Sequence, residues 1–519
     1  MSGEALLAID VGTQSVRAIV FDPRGHLLAK AQVPLEPAYA SPQPGWAEQD
    51  PQVYWQAMGA ACRQLWRSAA VTPGAVAGVA LTTIRGSAVF ADAAGRPLRP
   101  AILWLDQRRA GRLPPLSPYL RLALAAAGAG GLVRHFQLRA QANWVAEHEP
   151  GLWRSCERYG LLSAYLTHRL TGEWVDSAAA QVGYLPFDYK RQRWAAHGDF
   201  KWRALSLRPE QLPVLHAPGE RMGALTAAAA AELGLPQGLP VVAAAADKAC
   251  EVLGCGAVAP DVAQLSFGTT ATINTTQPRY VEVQRMLPAY PAALPGAFNT
   301  EIQIYRGFWM VSWFRREFGQ PEVARAAELG VPAERLFDAL AAGAPPGSMG
   351  LVLQPYWSPG VREPGPEAKG AVIGFGDVHT RAHLYRAILE GLAYGLRAGR
   401  EQIERRLGRR LTRVVASGGG SQSDAAMQIA ADVFGCAVER PENHESAALG
   451  AAMNLAVGLG LHADHGAAVA AMARSGQHFE PDAGRSGLYD ALYREVYLRM
   501  YKRLRPLYRC IRRITGYPP

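Results

Sequence analysis

The most informative segment of the sequence is Leu6-Leu7-Ala8-Ile9-Asp10-Val11-Gly12-Thr13-Gln14-Ser15. Its apolar first part indicates a buried strand, which ends at an acidic residue and a polar turn that contains glycine. Residues 16–21 and 26–33 are again rich in strand-forming residues, and the turn signal Asp22-Pro23-Arg24-Gly25 separates them. The segment therefore predicts the first strand of a β-meander.

The turn at Gly12 excludes two common phosphate-binding motifs. Both the P-loop and the dinucleotide-binding fingerprint require a glycine-rich turn that opens a helix within a βαβ unit. Here the turn joins two predicted strands, and neither motif occurs in a suitable place. A phosphate-binding loop in this chain would belong to another class.

A second copy of the pattern lies near the middle of the chain. Residues 239–246 predict a buried strand that ends at Asp247, and residues 262–267 predict a strand that leads into Gly268-Thr269-Thr270. The residues that follow, 271–275, favour a further strand. Two strand-loop-strand units with Gly-Thr at the bend predict an internally duplicated architecture, with a boundary near residues 254–261.

A glycine triplet follows in the second half of the chain. Residues 381–405 carry apolar side chains at helical spacing, and residues 414–416 predict a strand that leads into Ser417-Gly418-Gly419-Gly420-Ser421. Residues 424–434 then predict a helix. Glycines let a backbone approach a ligand closely, and a helix N-terminus offers N–H groups to phosphate oxygens.

Composition narrows the class of protein. The 519 residues predict two or three domains, and 54 basic against 44 acidic residues give a formal net charge of +10 without a nucleic-acid recognition module. The basic cluster at residues 502–513 is interpreted as a solvated helix face. Six cysteines lack zinc-site spacing, and we find neither a signal peptide nor an apolar run of spanning length. We therefore expect a soluble, cytoplasmic protein.

Taken in order, these segments resemble the FGGY carbohydrate kinase family, which includes xylulose, ribulose, fuculose and glycerol kinases. The matching segments are residues 8–17, 45–51, 101–108, 165–173, 247, 266–270, 359–364, 383–391, 417–420 and 445–452. Two departures bear on the substrate. The family usually has a Pro and a Lys before the tryptophan that corresponds to Trp144, and often Asn or Gln where Lys248 stands.

The resemblance implies an α/β fold of two ribonuclease-H-like lobes, as in actin and hexokinase ATPases, with a central cleft. Residues 1–255 would form the acceptor lobe and residues 256–519 the ATP lobe. The implied reaction is ATP-dependent, Mg²⁺-dependent phosphorylation of a hydroxyl on a small sugar or polyol, foremost a ketopentose such as xylulose or ribulose. Three alternatives stay open: a glycerol or sugar-acid kinase, an actin- or chaperone-like nucleotide-binding protein without an acceptor, and a catalytically silent sugar-binding regulator.

The resemblance also assigns site residues. Asp247 would be the catalytic base, and Asp10 and Asp247 would hold Mg²⁺. The residues assigned to ATP are Gly12, Thr13, Gln14, Gly268, Thr269, Thr270, Gly418, Gly419, Gly420 and Gln422. Those assigned to the acceptor are Arg85, Gly86, Asp106 and Lys248.

Each assignment has a structural alternative. Asp10 could simply form a turn, Asp247 could cap a following helix, and each Gly-Thr could be an ordinary hairpin bend. Arg85 could be a surface residue. Lys248 together with Arg85 would favour an acidic acceptor, unless Lys248 pairs with a neighbouring carboxylate. As partners we expect a small sugar or polyol, no nucleic acid and no membrane; a homodimer is an open possibility.

Overall fold

The computed structural model describes residues 4–68, 70–360 and 364–517. The predicted family segment at residues 359–364 therefore lies partly outside the described residues. The chain divides into two compact units. The first comprises Met1–Gly256, Gln277–Asn299 and Glu445–Ala473, and the second comprises Ala257–Thr276, Thr300–His444 and Arg474–Pro519.

The strands up to residue 256 are β1 (Ala5–Val11), β2 (Ser15–Phe21), β3 (Leu27–Pro34), β4 (Glu48–Gln49), β5 (Val76–Thr83), β6 (Ala88–Ala91), β7 (Ala101–Ile102), β8 (Arg158–Leu161), β9 (Val175–Ser177), β10 (Phe187–Asp188), β11 (Arg193–Trp194), β12 (Val214–His216), β13 (Arg221–Ala224) and β14 (Pro240–Ala246). The helices are α1 (Pro51–Arg67), α2 (Pro118–Ala126), α3 (Gly130–Arg139), α4 (Gln141–His148), α5 (Pro150–Ser155), α6 (Leu162–Thr171), α7 (Phe200–Ala204), α8 (Ala227–Leu233) and α9 (Asp247–Gly254).

The main sheet of the first unit has the strand order β13-β14-β5-β1-β2-β3. Strands β1, β2 and β3 form the predicted antiparallel meander, whereas β5 and β14 run parallel to β1 and to each other. Every residue of β1 is buried, while β3, at the edge, alternates between buried and exposed residues as a half-solvated strand does. The ends of β1, β5 and β14 carry Asp10, Arg85 and Asp247 to one edge of this sheet.

The strands after residue 256 are β15 (Val262–Phe267), β16 (Ala271–Gln277), β17 (Tyr290–Pro291), β18 (Phe298–Ile304), β19 (Val352–Gln354), β20 (Ala371–Ile373), β21 (Arg413–Ser417), β22 (Val438–Pro441) and β23 (Ser475–Phe479). The helices are α10 (Trp309–Phe318), α11 (Gln320–Leu329), α12 (Ala333–Ala342), α13 (Arg381–Leu407), α14 (Asp424–Phe434), α15 (Ser446–Gly458), α16 (His465–Met472), α17 (Ala483–Ala491) and α18 (Leu498–Thr515).

The sheet of the second unit repeats the topology of the first. It has seven strands in the order β17-β18-β16-β15-β21-β22-β23, of which the short β17 pairs with β18 at the edge. Strand β15 is antiparallel to β16 and parallel to β21, β21 is parallel to β22, and β22 is antiparallel to β23. The same order and directions occur around β1, so the internal duplication predicted from the two Gly-Thr bends is confirmed.

Helices α15 and α16 belong to the first unit although they lie between β22 and β23 of the second sheet in the chain. Glycines explain the close contact of α15 with α9: a Cβ added at Gly450 would lie 1.9 Å from the carbonyl oxygen of Cys250, and one at Gly254 would lie 1.9 Å from that of Ser446. Only glycine allows two helix backbones to approach in this way. The compact units are thus built from discontinuous segments, and the division into residues 1–255 and 256–519 stays a prediction.

In the part of the chain that the structure describes, every helix is too short or too polar to cross a lipid bilayer.

Candidate active site

Asp10 lies at the end of β1, directly opposite Arg17 in the register of β1 and β2. The Arg17 Nη1 lies 3.2 Å from the Asp10 Oδ2. Burial raises the pKa of Asp10 to about 6; Arg17 opposes the shift, and the carboxylates of Asp247 and Glu445 add to it. Asp10 is therefore a buried carboxyl whose desolvation Arg17 offsets only in part.

Glu445, which we assigned no role from the sequence, is the second acid on Arg17. It precedes α15, is buried, accepts a hydrogen bond from the Lys30 Nζ and has its Oε2 3.5 Å from the Arg17 Nη1. The residues after it are almost all apolar and buried as α15. An acidic residue directly before such an apolar helix is expected to be buried with it. The apolar run after Glu445 could therefore have indicated that Glu445 is buried and paired with a cation.

The bend at Gly12-Thr13-Gln14 joins β1 to β2. The Gly12 N–H donates to the carbonyl of Ser15 at 3.0 Å and closes the turn. Thr13 is half-buried, and its Oγ1 accepts a hydrogen bond from the Trp104 Nε1 at 3.0 Å. Trp104 is 42% exposed, and we assigned it no role from the sequence although it stands in the matching segment 101–108.

Asp247 is the first residue of α9, where β14 ends. Its Oδ1 accepts a hydrogen bond from the Lys248 N–H at 2.8 Å and lies 4.0 Å from the Arg85 Nε, and 30% of the side chain is exposed. Burial raises the pKa of Asp247 above its ordinary value, against the opposing charges of Arg85 and Lys248. Asp247 thus bonds to the first turn of α9, as expected if it caps that helix. Its carboxylate is also partly exposed to solvent.

Lys248 pairs with a carboxylate on its own helix. Its Nζ lies 2.9 Å from the Glu251 Oε2, and both side chains are largely buried. Burial alone would lower the pKa of Lys248, but Glu251 and Asp247 outweigh it and raise that pKa. This ion pair corresponds to the alternative stated above, in which Lys248 pairs with a neighbouring carboxylate.

Arg85 and Gly86 follow β5. The guanidinium of Arg85 lies over the ring of Tyr290, 5.4 Å from its centroid, and Tyr290 was not predicted as a site residue. Gly86 has a φ of +66°, which favours glycine, and its carbonyl accepts a hydrogen bond from the Gln141 Nε2 at 3.1 Å. Arg85 is therefore held between Asp247 and an aromatic ring and is not a loose surface residue.

Asp106, predicted to contact the acceptor, is buried and paired with Arg108. Its two carboxylate oxygens accept hydrogen bonds from the Arg108 Nε and Nη2 at 2.9 and 2.7 Å and from the Ala47 N–H at 2.7 Å. Arg108 in turn stacks on Trp46, 4.0 Å from its centroid. A buried, bidentate pair of this kind fixes a loop, so we do not carry Asp106 into the acceptor site.

In the second unit, Gly268-Thr269-Thr270 joins β15 to β16, as Gly12-Thr13-Gln14 joins β1 to β2. The carbonyl of Gly268 accepts a hydrogen bond from the Phe308 N–H at 3.0 Å, and the Thr270 Oγ1 donates to the carbonyl of Tyr305 at 3.2 Å. Thr269 is exposed at the tip of the bend. The bend is therefore supported from one side by the segment before α10.

The glycine triplet follows β21 as predicted. Gly418 has a φ of +87°, and a Cβ added at Gly420 would lie 2.2 Å from the ring of Phe308, whereas one added at Gly419 would meet no atom within 4 Å. Gln422 is exposed beside them. Two of the three glycines are thus required by the fold of the loop itself, and Gly419 is not.

The N-terminus of α14 differs from the prediction. The Ala426 N–H donates to the Ser423 Oγ at 3.1 Å, and the Asp424 N–H donates to the Asp338 Oδ2 at 3.1 Å. An N-cap serine and a partly buried aspartate therefore already satisfy N–H groups that we expected to meet phosphate. Asp338 lies on α12, and only the tertiary structure brings it to this position.

Within residues 4–68, 70–360 and 364–517, no group of three or more His, Cys, Asp or Glu side chains could hold a metal ion. Two cavities in the described structure also lie away from the predicted residues. One, of about 360 Å³, is lined by Tyr165, His168 and Arg169 in the first unit, and the other, of about 550 Å³, by Phe318, Phe375 and Leu384 in the second.

Comparison with known families agrees with this arrangement. Residues 5–254 match the model of the N-terminal domain of the FGGY family of carbohydrate kinases, and residues 263–459 match that of its C-terminal domain. The chain belongs to the FGGY family. Members of this family are phosphotransferases that use ATP and act on an alcohol group, so the chain is a carbohydrate kinase.

Individual relatives of this FGGY kinase carry different substrate names. The Escherichia coli (strain K12) protein named "Uncharacterized sugar kinase YgcE" is 29% identical over 510 residues, 97% of this chain and 94% of the relative. A glycerol kinase of Methylibium petroleiphilum is 30% identical over 480 residues, 88% of this chain and 91% of the relative. The crystal structure of xylulose kinase from Rhodospirillum rubrum has 29% identity and a TM-score of 0.80, over 97% of this chain and 100% of that one. These similarities support the actin- and hexokinase-like ATPase fold.

Proposed function

We propose that this FGGY kinase transfers the terminal phosphoryl group of ATP to a hydroxyl of a small neutral sugar or polyol, foremost a ketopentose such as xylulose or ribulose. The observation that carries the proposal is the environment of the Asp247 carboxylate. This carboxylate is partly exposed, stands 4.0 Å from the Arg85 Nε and has a raised pKa. The relatives named xylulose kinase and glycerol kinase support the class of acceptor.

Asp247 acts as the general base. Transfer to an alcohol requires a carboxylate that accepts the hydroxyl proton as the oxygen attacks phosphorus. A carboxylate with a raised pKa is a stronger base than an ordinary aspartate, provided that it is ionised at the working pH. Arg85 lies beside Asp247 and donates hydrogen bonds to the acceptor oxygens, while its charge opposes the rise in the pKa of Asp247.

Mg²⁺ fits the pair Asp10 and Asp247. This ion takes one or two protein carboxylates together with water and substrate phosphate oxygens, so two acids suffice. Burial raises the pKa of Asp10, and Asp247 and Glu445 raise it further, so a cation beside Asp10 would stabilise its ionised form. When bound, Mg²⁺ would neutralise charge on the phosphate oxygens of ATP.

Three loops contact ATP in this proposal. Gly12, Thr13 and Gln14 in the first unit, and Gly268, Thr269 and Thr270 in the second, present backbone and hydroxyl groups to the phosphates. Gly418, Gly419, Gly420 and Gln422 contact the adenosine side. Their common feature is small or polar residues at bends between elements.

The ion pair between Lys248 and Glu251 favours a neutral acceptor over a sugar acid. A lysine whose Nζ is 2.9 Å from a carboxylate on its own helix adds little positive charge to a neighbouring site. The acidic-acceptor hypothesis assumed that Lys248 and Arg85 both offered a charge. With Lys248 paired, Arg85 remains as the acceptor-side cation of the proposal.

The six cysteines, all within the described residues, are unbridged thiols. Unbridged cysteines are typical of reducing compartments, which supports a cytoplasmic location as part of the proposal.

The proposal is tested by ADP release in the presence of Mg²⁺ with xylulose, ribulose, glycerol and gluconate as acceptors, and with none. We expect turnover that depends on the acceptor and is fastest with a ketopentose, with the product identified by NMR. Release of ADP without an acceptor would indicate an ATPase. Turnover with gluconate alone would replace the neutral acceptor by a sugar acid, and no turnover with any of them would indicate a regulator.

A further inference from the structure

Helix α18 concentrates positive charge. It contains no acidic residue and seven basic residues: Arg499, Lys502, Arg503, Arg505, Arg509, Arg512 and Arg513. The formal net charge of the whole chain is +10. Most of the excess positive charge of the chain therefore lies on this one helix.

One face of α18 is fixed to the second unit. Met500, Tyr501 and Tyr508 are buried, the Tyr501 hydroxyl donates to the Glu367 Oε1 at 2.9 Å and the Tyr508 hydroxyl donates to the Gln354 Oε1 at 2.8 Å. Arg505 also pairs with Glu367, at 2.7 Å. The helix is thus anchored, and its opposite face has a defined orientation.

The outward face carries an apolar stripe. Leu507, Ile511 and Ile514 are 58%, 40% and 76% exposed. Their spacing of four and three residues places them on one side of the helix. Single exposed apolar residues are normal on protein surfaces, but an aligned stripe of three large ones marks an interaction site more often than chance.

A basic stripe lies about 150° around the helix from the apolar one, on the opposite flank of the exposed half. At 100° per residue, Lys502, Arg509 and Arg513 fall together on the other side of the outward face. Among the residues that the structure describes, these three side chains and those of Arg499 and Arg503 have no carboxylate within 4.0 Å. The positive charge on this face is therefore not neutralised within the protein.

We propose that the outward face of α18 is a docking surface for an anionic phospholipid bilayer. A helix of this kind lies in the plane of the interface, with apolar side chains among the acyl chains and basic side chains at the headgroups. A cluster of four to eight Lys or Arg residues on an amphipathic helix is the feature that anionic lipids attract. The occupant is a lipid surface and not a nucleic acid, because a phosphate backbone offers no partner for the apolar stripe.

This surface does not depend on the proposed reaction. None of its residues is assigned to ATP, Mg²⁺ or the acceptor. Lipid binding and phosphoryl transfer can therefore fail or succeed separately in experiments.

The test is co-sedimentation of the full chain with vesicles made of equal parts phosphatidylserine and phosphatidylcholine, or of phosphatidylcholine alone. We expect binding to the anionic vesicles only, and its loss at about 0.5 M salt because the charges are then screened over a few ångströms. The variant Lys502→Glu, Arg509→Glu, Arg513→Glu should lower the partition coefficient at least about tenfold. The variant Leu507→Ser, Ile511→Ser, Ile514→Ser should also lower it, with the charge unchanged.

A matched control reverses the same number of charges in another basic cluster. The variant Arg405→Glu, Arg409→Glu, Arg410→Glu alters exposed residues at the end of α13 and should bind as the parent does. Equal loss in this control would show that net charge, not α18, governs binding. Absence of binding to anionic vesicles, or binding of the α18 charge cluster to duplex DNA but not to vesicles, would overturn the proposal.

Discussion

Asp176 is a buried carboxyl on β9 whose partners, within the described structure, are neutral. It accepts hydrogen bonds from the Ser163 Oγ at 2.7 Å, the Gln181 Nε2 at 2.6 Å and the Ser177 N–H at 2.8 Å. Burial raises the pKa of Asp176 to about 7, against the effect of these hydrogen bonds. The folded protein therefore keeps a proton on this group to a higher pH than the unfolded chain does.

We predict that Asp176→Asn becomes more stable relative to the parent as the pH rises. Between the ordinary pKa and a folded-state pKa of about 7, the folded state binds more protons, so the parent loses stability as the pH rises through this window. From about pH 5 to about pH 8 the loss amounts to about 3 kcal/mol. Urea unfolding of both proteins at the two pH values measures it.

The exposed Asp377→Asn serves as the control for Asp176→Asn, because it makes the same substitution on the protein surface. A stability difference between parent and Asp176→Asn that is the same at both pH values would contradict the assigned environment.

Lys248 and Glu251 make a second prediction at this scale. Lys248→Gln removes the cation that lies 2.9 Å from the largely buried Glu251, so it should lower the free energy of unfolding by about 3 kcal/mol. The double variant Lys248→Gln, Glu251→Gln should recover most of that lost stability. If Lys248 serves only this pair, the acceptor KM of the double variant should match that of the parent. A rise of tenfold or more in that KM would place Lys248 in contact with the substrate.

At the scale of elements, the sequence contained much of the local structure. The strands before and after Gly12, and the helix predicted over residues 424–434, appear as β1, β2 and α14, because hydrophobic period and turn residues are local signals. The burial of Asp106 was not predictable in this way, and neither were the two cations that pair with Glu445. Each depends on a residue distant in the chain or on packing around an aromatic group, which short sequence windows do not contain.

The glycine triplet allows a matched test of the predicted ATP loop. Gly420→Ala would place a Cβ 2.2 Å from the Phe308 ring, so we expect a lower melting temperature, by an overpacking cost of about 1–3 kcal/mol. Gly419→Ala meets no atom of the protein within 4 Å and should leave the melting temperature unchanged. If ATP approaches this loop closely, however, Gly419→Ala should raise the KM for ATP. An unchanged KM with an unchanged melting temperature would remove Gly419 from the ATP site.

At the scale of the whole molecule, two sheets with one topology explain why the sequence contains two Gly-Thr bends. Each bend follows the central strand of its sheet, β1 or β15, and leads into an antiparallel neighbour. The second bend was therefore predictable from the first. The return of α15 to the first unit was not, because it depends on Gly254 and Gly450 meeting another backbone, and isolated glycines in a helical pattern do not identify their partner.

The most direct measurement of the central claim compares Asp247→Asn with the parent under the same conditions. ATP binding is measured by calorimetry with Mg²⁺, and transfer by acceptor-dependent ADP release with the best acceptor. We predict that the variant binds ATP within a few-fold of the parent while its kcat falls by at least about a hundredfold, as expected for the loss of a general base. Acceptor-dependent turnover that persists near the parent rate in Asp247→Asn would contradict the account.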